Sequence, residues 1–415
     1  MKYEMVIGLE VHTELSTKTK IFCSCTTQFG GDPNTHCCPV CTGMPGTLPV
    51  LNKSVVEYAI RAGLATNCTI TRLNKFDRKN YFYPDLPKAY QISQLYLPIC
   101  QNGAVEIETG AGVKSIRIKE IHMEEDAGKL VHEPYEDATL ADYNRCGVPL
   151  LEIVSEPDFR SAEEVTAYLE KLKATLQYIG VSDCKMQEGS LRADVNVSVR
   201  PVGQEEFGVR TEMKNMNSFK AVARAIDYES KRQISVLEAG GRVIQQTRRW
   251  DDEKGESFAM RSKENAQDYR YFPEPDLPPV EIGDDWIGRV AKELPELPDK
   301  KQKRYVKELG LPEYDSRMIT AYKAMADFFE AAAELCQKPK EVSNWMMGDL
   351  FRLLKEEGKE ASELTLAPQN LAKLIGLIDK GVINRNTAKT VFEAMFKTGV
   401  TRKYTSKSRV WKWCP

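Results

Sequence analysis

The stretch VIGLEVHTEL, residues 6–15, has the period of an extended strand: Ile7, Leu9, Val11 and Leu15 point one way, and Glu10, His12 and Glu14 the other. Same-face residues on a strand lie about 6.6 Å apart, so long side chains from i and i+2 can converge on one cation. Two carboxylates flanking an imidazole repel at short range unless a counter-charge is supplied. A solvated strand face is the competing reading, and recurrence argues against it. SIRIKEIHMEEDAGK runs a strand into Glu124, Glu125 and Asp126. GSLRADVNVSVR sets Leu191, Ala193, Val195 and Val197 against Arg192, Asp194, Asn196 and Ser198, and GVRTEMKNMNS puts Arg210, Glu212 and Lys214 on one face. Four strands with one apolar and one charged side imply an antiparallel sheet whose polar face is a working surface. Its carboxylates suit Mg²⁺, which takes one or two of them and leaves its other positions to water and phosphate. Arg192, Arg210 and Lys214 are of the type that holds phosphates. Neither GxxxxGK[ST] nor GxGxxG occurs, so a bound nucleotide would lie outside the P-loop and dinucleotide folds.

At 415 residues the chain exceeds one ordinary core, and two or three domains are expected. With 58 Lys and Arg against 60 Asp and Glu, no global field draws it to nucleic acid. No apolar run approaches the ~20 residues of a membrane span, and no signal-peptide core follows the N-terminus. A cytoplasmic protein without membrane association is expected, in which structural disulfides are disfavoured.

That compartment bears on FCSCTTQFGGDPNTHCCPVC, residues 22–41, with five cysteines in twenty residues. Cys23-x-Cys25 and Cys38-x-x-Cys41 are spaced for a tetrahedral zinc site built from two tight turns, with Cys37 left over. A redox pair would sit at a strand-to-helix junction, but Pro45, Gly46 and Pro49 follow too closely for a helix. A catalytic thiol would need a base, and His36 is the only histidine near it in sequence. The spacing favours structural Zn²⁺ over a redox centre or plainly buried cysteines.

Up to about residue 280 short strands and turns dominate, with a helix in SAEEVTAYLEKLKATLQYIG opened by Ser161 and Glu164 in a capping-box pattern. The proline-rich RYFPEPDLPPVEIGDDW marks a boundary, since proline neither continues helices nor donates to ladders. Beyond it the pattern is helical: DSRMITAYKAMADFFEAAAEL carries Met318, Tyr322, Met325 and Phe329 at helical spacing, and PKEVSNWMMGDLFRLLKEEG reads the same way. Pro368 and Gly381 punctuate a third helix, and Asn384 or Asn386 opens a fourth. The expected fold class is α+β, with a catalytic domain at 1–290 that carries the cysteine loop (22–43) and a helical domain at 291–400.

Taken together, IGLEVHTEL, KFDRKNYFYPDLPKAYQISQ, HMEEDAGK, PLLEIVSEPD, EGSLRADVNVSVRP, EMKNMNSF and DYRYFPEPDLPP closely resemble the B subunits of the bacterial aspartyl/glutamyl-tRNA amidotransferases, over roughly residues 1–400. The resemblance implies a glutamine-synthetase-like antiparallel-sheet cradle. It implies a heterotrimer with an amidase-type glutaminase and a small protein wrapped between the other two chains. It further implies binding of mischarged tRNA and use of ATP and Mg²⁺ to phosphorylate the side-chain carboxylate of Glu-tRNA(Gln) or Asp-tRNA(Asn). Ammonia from the glutaminase then displaces phosphate. The alternative is a non-catalytic tRNA-binding scaffold in the same complex. By resemblance, Mg²⁺ falls to Glu10, His12 and Glu125, with Asp194 and Glu212 as further ligands or supporting groups. ATP phosphates fall to Arg192, Arg210 and Lys214, Lys79 and Tyr83 border the ammonia outlet or the acceptor end, and Cys23, Cys25, Cys38 and Cys41 match the zinc site of some members. The last fifteen residues, TRKYTSKSRVWKWCP, carry five Lys or Arg and no acid, and resemble nothing in the helical tail domain that family members have there. They are read as an aberrant basic tail, with the tRNA-binding tail domain expected to be missing.

Overall fold

In the computed structural model the alternation of residues 6–15 belongs to a longer strand, β1 (Tyr3–Glu14), at the centre of a nine-stranded sheet. The structure describes residues 2–132, 138–260 and 269–398, with the backbone of 402–403 and 412–413. Those two short segments apart, the tail at 401–415 lies outside the described residues. The chain divides into two compact units, Met1–Pro295 and Glu296–Pro415.

In the first unit the remaining sheet strands are β2 (Thr69–Ile70), β3 (Cys100–Thr109), β4 (Gly112–Glu125), β5 (Pro149–Ser155), β6 (Leu191–Pro201), β7 (Thr211–Lys214), β8 (Gln246–Asp251) and β9 (Glu256–Ala259). Their spatial order is β9-β8-β7-β6-β1-β5-β4-β3-β2. Every junction is antiparallel except β7–β8. Parallel neighbours need a crossover of a dozen or more residues, and the helix Phe219–Glu238 supplies it. That helix (α3), with α1 (Lys53–Ala65) and α2 (Ala162–Tyr178), packs against the sheet's apolar side. There Ile7, Leu9, Val11, Ile121, Met123, Leu151, Ile153, Val195 and Val197 are all buried.

Pairing between β5 and β4 shifts between Val154 and Ser155, which leaves Lys119 as an extra residue. Ile116 and Ile118 are buried before this bulge, Ile121 and Met123 after it, so the strand changes phase by one. Asn52, Ser161 and Ser218 cap α1, α2 and α3. The expected capping box forms in half: Glu164 N–H donates to Ser161 Oγ, but the Glu164 carboxylate accepts from Arg160 N–H (2.7 Å) and Lys114 Nζ (2.8 Å).

In the second unit the helices α5 (Pro298–Leu309), α6 (Glu313–Thr320), α7 (Lys323–Cys336), α8 (Pro339–Trp345), α9 (Phe351–Glu356), α10 (Pro368–Asp379) and α11 (Arg385–Thr398) follow α4 (Asp284–Glu293) of the first unit. Their core includes Tyr305, Met325, Phe329, Trp345, Leu371 and Phe392. The helix expected across 315–335 is two helices, because Tyr322 takes extended backbone at the start of α7. The Thr320 hydroxyl bonds back to Ser316 O (2.8 Å), a contact that competes with helical continuation. A single π turn, Met346–Leu350, joins α8 to α9, and Asn384 caps α11 through Thr387 N–H.

Replacing buried Leu9 with alanine leaves a cavity beneath the central strand and is expected to lower stability by roughly 2–5 kcal/mol. The same change at exposed Val113 should stay within about 0.5 kcal/mol. Urea unfolding midpoints of the two variants measure the contrast.

Candidate active site on the polar face of the sheet

Register decides which side chains meet. Across β1, Glu10 lies opposite Asp194 of β6 and Val154 of β5, and His12 opposite Arg192 and Glu152. One strand further out, Asn196 faces Glu212 of β7, and Glu152 faces His122 of β4. Paired residues share a face, so five strands deliver their polar rows to one surface.

Two clusters result. His12, Glu124 and Glu152 bring ligand atoms within 4.8 Å of one another, and so do Glu10, Asp194 and Glu212. In the first, His12 Nε2 stands 3.6 Å from Glu124 Oε1 and 3.8 Å from Glu152 Oε1, and the Ser93 hydroxyl donates to Glu124 (3.2 Å). In the second, Lys214 Nζ donates to Asp194 (2.6 Å) and lies 3.0 Å from Glu212, Asn196 donates to Glu10 (3.0 Å), and Thr247 donates to Glu212 (2.7 Å).

The carboxyls respond as crowding in a partly dry site requires. Burial, then the charges of Glu152 and Glu212, push the Glu10 pKa up. Burial, then Glu152, does the same to Glu124, against the pull of His12 and Lys79. Glu152 goes down: burial opposes ionisation, but His12, His122 and Lys79 outweigh it. Glu212 is also held down against burial, chiefly by Lys214 and Thr247. Beside these clusters Arg192 donates to buried Asp126 (2.9 Å), and Arg145 lies 3.5 Å from the same oxygen.

The structure thus gathers Glu10, His12, Asp194, Glu212 and Lys214, and sets Arg192 at their edge. The charges of Glu124, Tyr271 and Glu152 raise the Lys79 pKa against burial. Arg210 is exposed one residue before β7, near enough to help hold Glu212 ionised. Tyr83 is 53% exposed. Glu125 is the one that changes place. It lies on the opposite face from Glu124, where Lys88 Nζ donates to both its oxygens (2.5 and 2.6 Å) and Ile92 N–H to one (2.8 Å). It therefore cannot share a cation with Glu10 and His12; the glutamate beside His12 is Glu124. Glu152 and His122 belong to the site as well, although the sequence pattern did not single them out. A signal for Glu152 exists: it is the lone carboxylate in PLLEIVS, flanked by Leu151 and Ile153.

Cys23, Cys25, Cys38 and Cys41 likewise converge within 4.8 Å, a donor set that fits zinc. Hydrogen bonding from the Cys23 thiol and the Cys38 N–H, with the Lys20 charge, holds the Cys41 thiol down to about 4. Cys37 instead faces Asn144 (3.8 Å).

Residues 5–288 match the GatB/GatE catalytic domain family, and residues 327–407 match the family described as GatB domain. The chain belongs to the GatB family. It is 71% identical over 398 residues to the B subunit of the aspartyl/glutamyl-tRNA(Asn/Gln) amidotransferase of Lachnoclostridium phytofermentans, a match that covers 96% of this chain and 83% of that relative. The corresponding proteins of Agathobacter rectalis and Caldicellulosiruptor bescii, which carry the same name, are 65% and 64% identical, each across 96% of this chain and 84% of theirs. Among the described residues no helix is long and apolar enough to cross a membrane.

Metal analysis of purified protein should give about one zinc per chain; freely reactive thiols at all four positions in metal-free, folded protein would contradict that. A cation entering the carboxylate face must displace protons from Glu10 and Glu124, whose pKa values are raised. Affinity for Mn²⁺, read by electron paramagnetic resonance, should therefore keep strengthening as pH rises above the usual carboxylate range. A pH-independent affinity would contradict it.

Proposed function

We propose that this component of a tRNA-dependent amidotransferase activates the substrate: with ATP, it phosphorylates the side-chain carboxylate of glutamate or aspartate carried on tRNA, and the acyl phosphate is then exchanged for an amide. The observation that carries the reading is the pair of carboxylate clusters on one face, bordered by Lys79, Lys214 and Arg192. A carboxylate resists ammonia because it is anionic, so amide formation needs a leaving group first. Phosphoryl transfer needs little covalent help from protein; it needs positioning and neutralised charge.

The chain's residues divide that work. His12, Glu124 and Glu152, and beside them Glu10, Asp194 and Glu212, are the groups that would hold divalent cations. The donor set of carboxylates with one imidazole fits Mg²⁺ or Mn²⁺, which when bound neutralises phosphate charge. Lys214 and Arg192 supply positive charge at the edge of the clusters, Arg192 oriented by Asp126. Ammonia would come from the glutaminase that the resemblance implies, with the small protein as the third chain of the complex. Cys23, Cys25, Cys38 and Cys41 would hold Zn²⁺ as a staple for the loop following β1, away from the transfer chemistry.

In the assembled complex, Glu124→Gln and Glu10→Ala should each reduce Glu-tRNA-dependent ATP hydrolysis and amide formation by about 100-fold or more. Glutamine hydrolysis by the partner should persist. Undiminished amidation by both variants would sink the assignment, and a wild type showing neither ATP hydrolysis nor acyl-phosphate formation dependent on aminoacyl-tRNA and Mg²⁺ would favour a scaffold.

A further inference from the structure

The motif DYRYFPEPDLPP has no role in the scheme above, yet its described part, from Tyr269 onward, is firmly tied into the first unit. Phe272 and Pro273 pair with Arg78 and Asp77 in a ribbon formed by Asp77–Asn80 and Tyr90–Ser93. Arg78 grips the segment: its guanidinium donates to both oxygens of Glu274 (2.6 and 2.9 Å) and to Asp276 (3.0 Å), while stacking over Tyr90 (4.3 Å). The Glu274 side chain is fully buried, so removing Arg78 would leave a buried charge without its ion-pair partner. Asn80 holds the other end, its backbone N–H donating to Tyr269 O (3.0 Å) and its side chain to Arg270 O (2.8 Å). Between these grips Arg270 takes φ +43°, a conformation that L-residues with side chains rarely adopt.

Lys79 lies between Arg78 and Asn80 on the same short strand. Its ammonium sits 5.0 Å from the centre of the Tyr269 ring, which packs edge-to-face on Tyr81 and Tyr271 (5.9 Å each). The ribbon is docked at the end of β4, where Ser93 donates to Glu124 and the Gln91 side chain to Glu125 O (2.7 Å). We propose that residues 269–277 form a strap that holds the Lys79 ammonium against the Tyr269 ring, on the ribbon that reaches Glu124 through Ser93, latched by the Arg78–Glu274 ion pair. Tyr269, Tyr271, Arg78 and Glu274 are then positioning residues for phosphoryl transfer. A flexible lysine has several rotamers, and a fixed cation at the edge of a phosphate site needs one. The strap supplies the wall that selects it.

This inference rests on the functional reading above, and its test separates the two. In the assembled complex, Lys79 is pulse-labelled with an amine-acylating reagent and quantified by mass spectrometry against exposed Lys18. ATP kinetics with aminoacyl-tRNA are measured in parallel. Glu274→Gln and Tyr271→Leu should raise Lys79 labelling several-fold and lower kcat by about 10- to 100-fold, with KM for ATP changing less than about threefold. Tyr271→Phe, which keeps the ring, should restore both. Tyr271→Leu keeps the test open if loss of the buried Glu274 charge impairs folding. Labelling unchanged in Tyr271→Leu would overturn the strap, and raised labelling with unaltered kcat would overturn its part in the reaction. Failure of the functional reading would show separately, as wild-type ATP hydrolysis that ignores aminoacyl-tRNA.

Discussion

A strand at the centre of a sheet can carry a charged row only if its other row is dry and the neighbouring strands repeat the same division. That constraint governs β1. Its buried row of Ile7, Leu9 and Val11 anchors the sheet over α1–α3, which obliges Glu10, His12 and Glu14 to share the opposite face with whatever β5 and β6 present there. Slipping β1 by one residue would bury three ionisable groups and expose the core, so register and site are one property.

Like charges gathered this way are unstable in isolation, and the rest of the site is the answer to that repulsion. Lys214 lies between Asp194 and Glu212, His12 and His122 offset Glu152, and Arg145 and Arg192 both face Asp126. Within the two clusters the raised pKa values fall on Glu10 and Glu124 and mark where an incoming cation would be worth most, while outside them Glu14 is pushed up to about 8 by burial and the Asp126 charge. The cysteine clip takes no part in this electrostatic problem.

The sheet class and the sidedness of β1, β6 and β7 can be read directly from residues 7–14, 191–200 and 211–214, where apolar and polar residues alternate; before Ile7 the run Met5-Val6-Ile7 carries no such sign. β4 cannot. Its bulge at Lys119 shifts the phase, so counting from Ile116 and Ile118 would send Glu125, not Glu124, to the polar face. The local sign is the doubled polar step Lys119-Glu120 between Ile118 and Ile121, which a strict alternation count passes over, and pairing with β5 places the extra residue there. β5 itself is hidden for a different reason. PLLEIVS is nearly all apolar, as suits an interior strand, and its single Glu152 looks incidental until His12 and His122 are placed on either side. The break at Tyr322 has no sequence signal either, since the apolar stripe runs through it.

The most direct test of the polar face as the cation and phosphate site is anomalous diffraction from crystals of the complex grown with Mn²⁺ and a non-hydrolysable ATP analogue. Anomalous density is expected among His12, Glu124 and Glu152 or among Glu10, Asp194 and Glu212, with the nucleotide's phosphates alongside. Manganese and phosphates bound elsewhere, with both clusters empty, would contradict it.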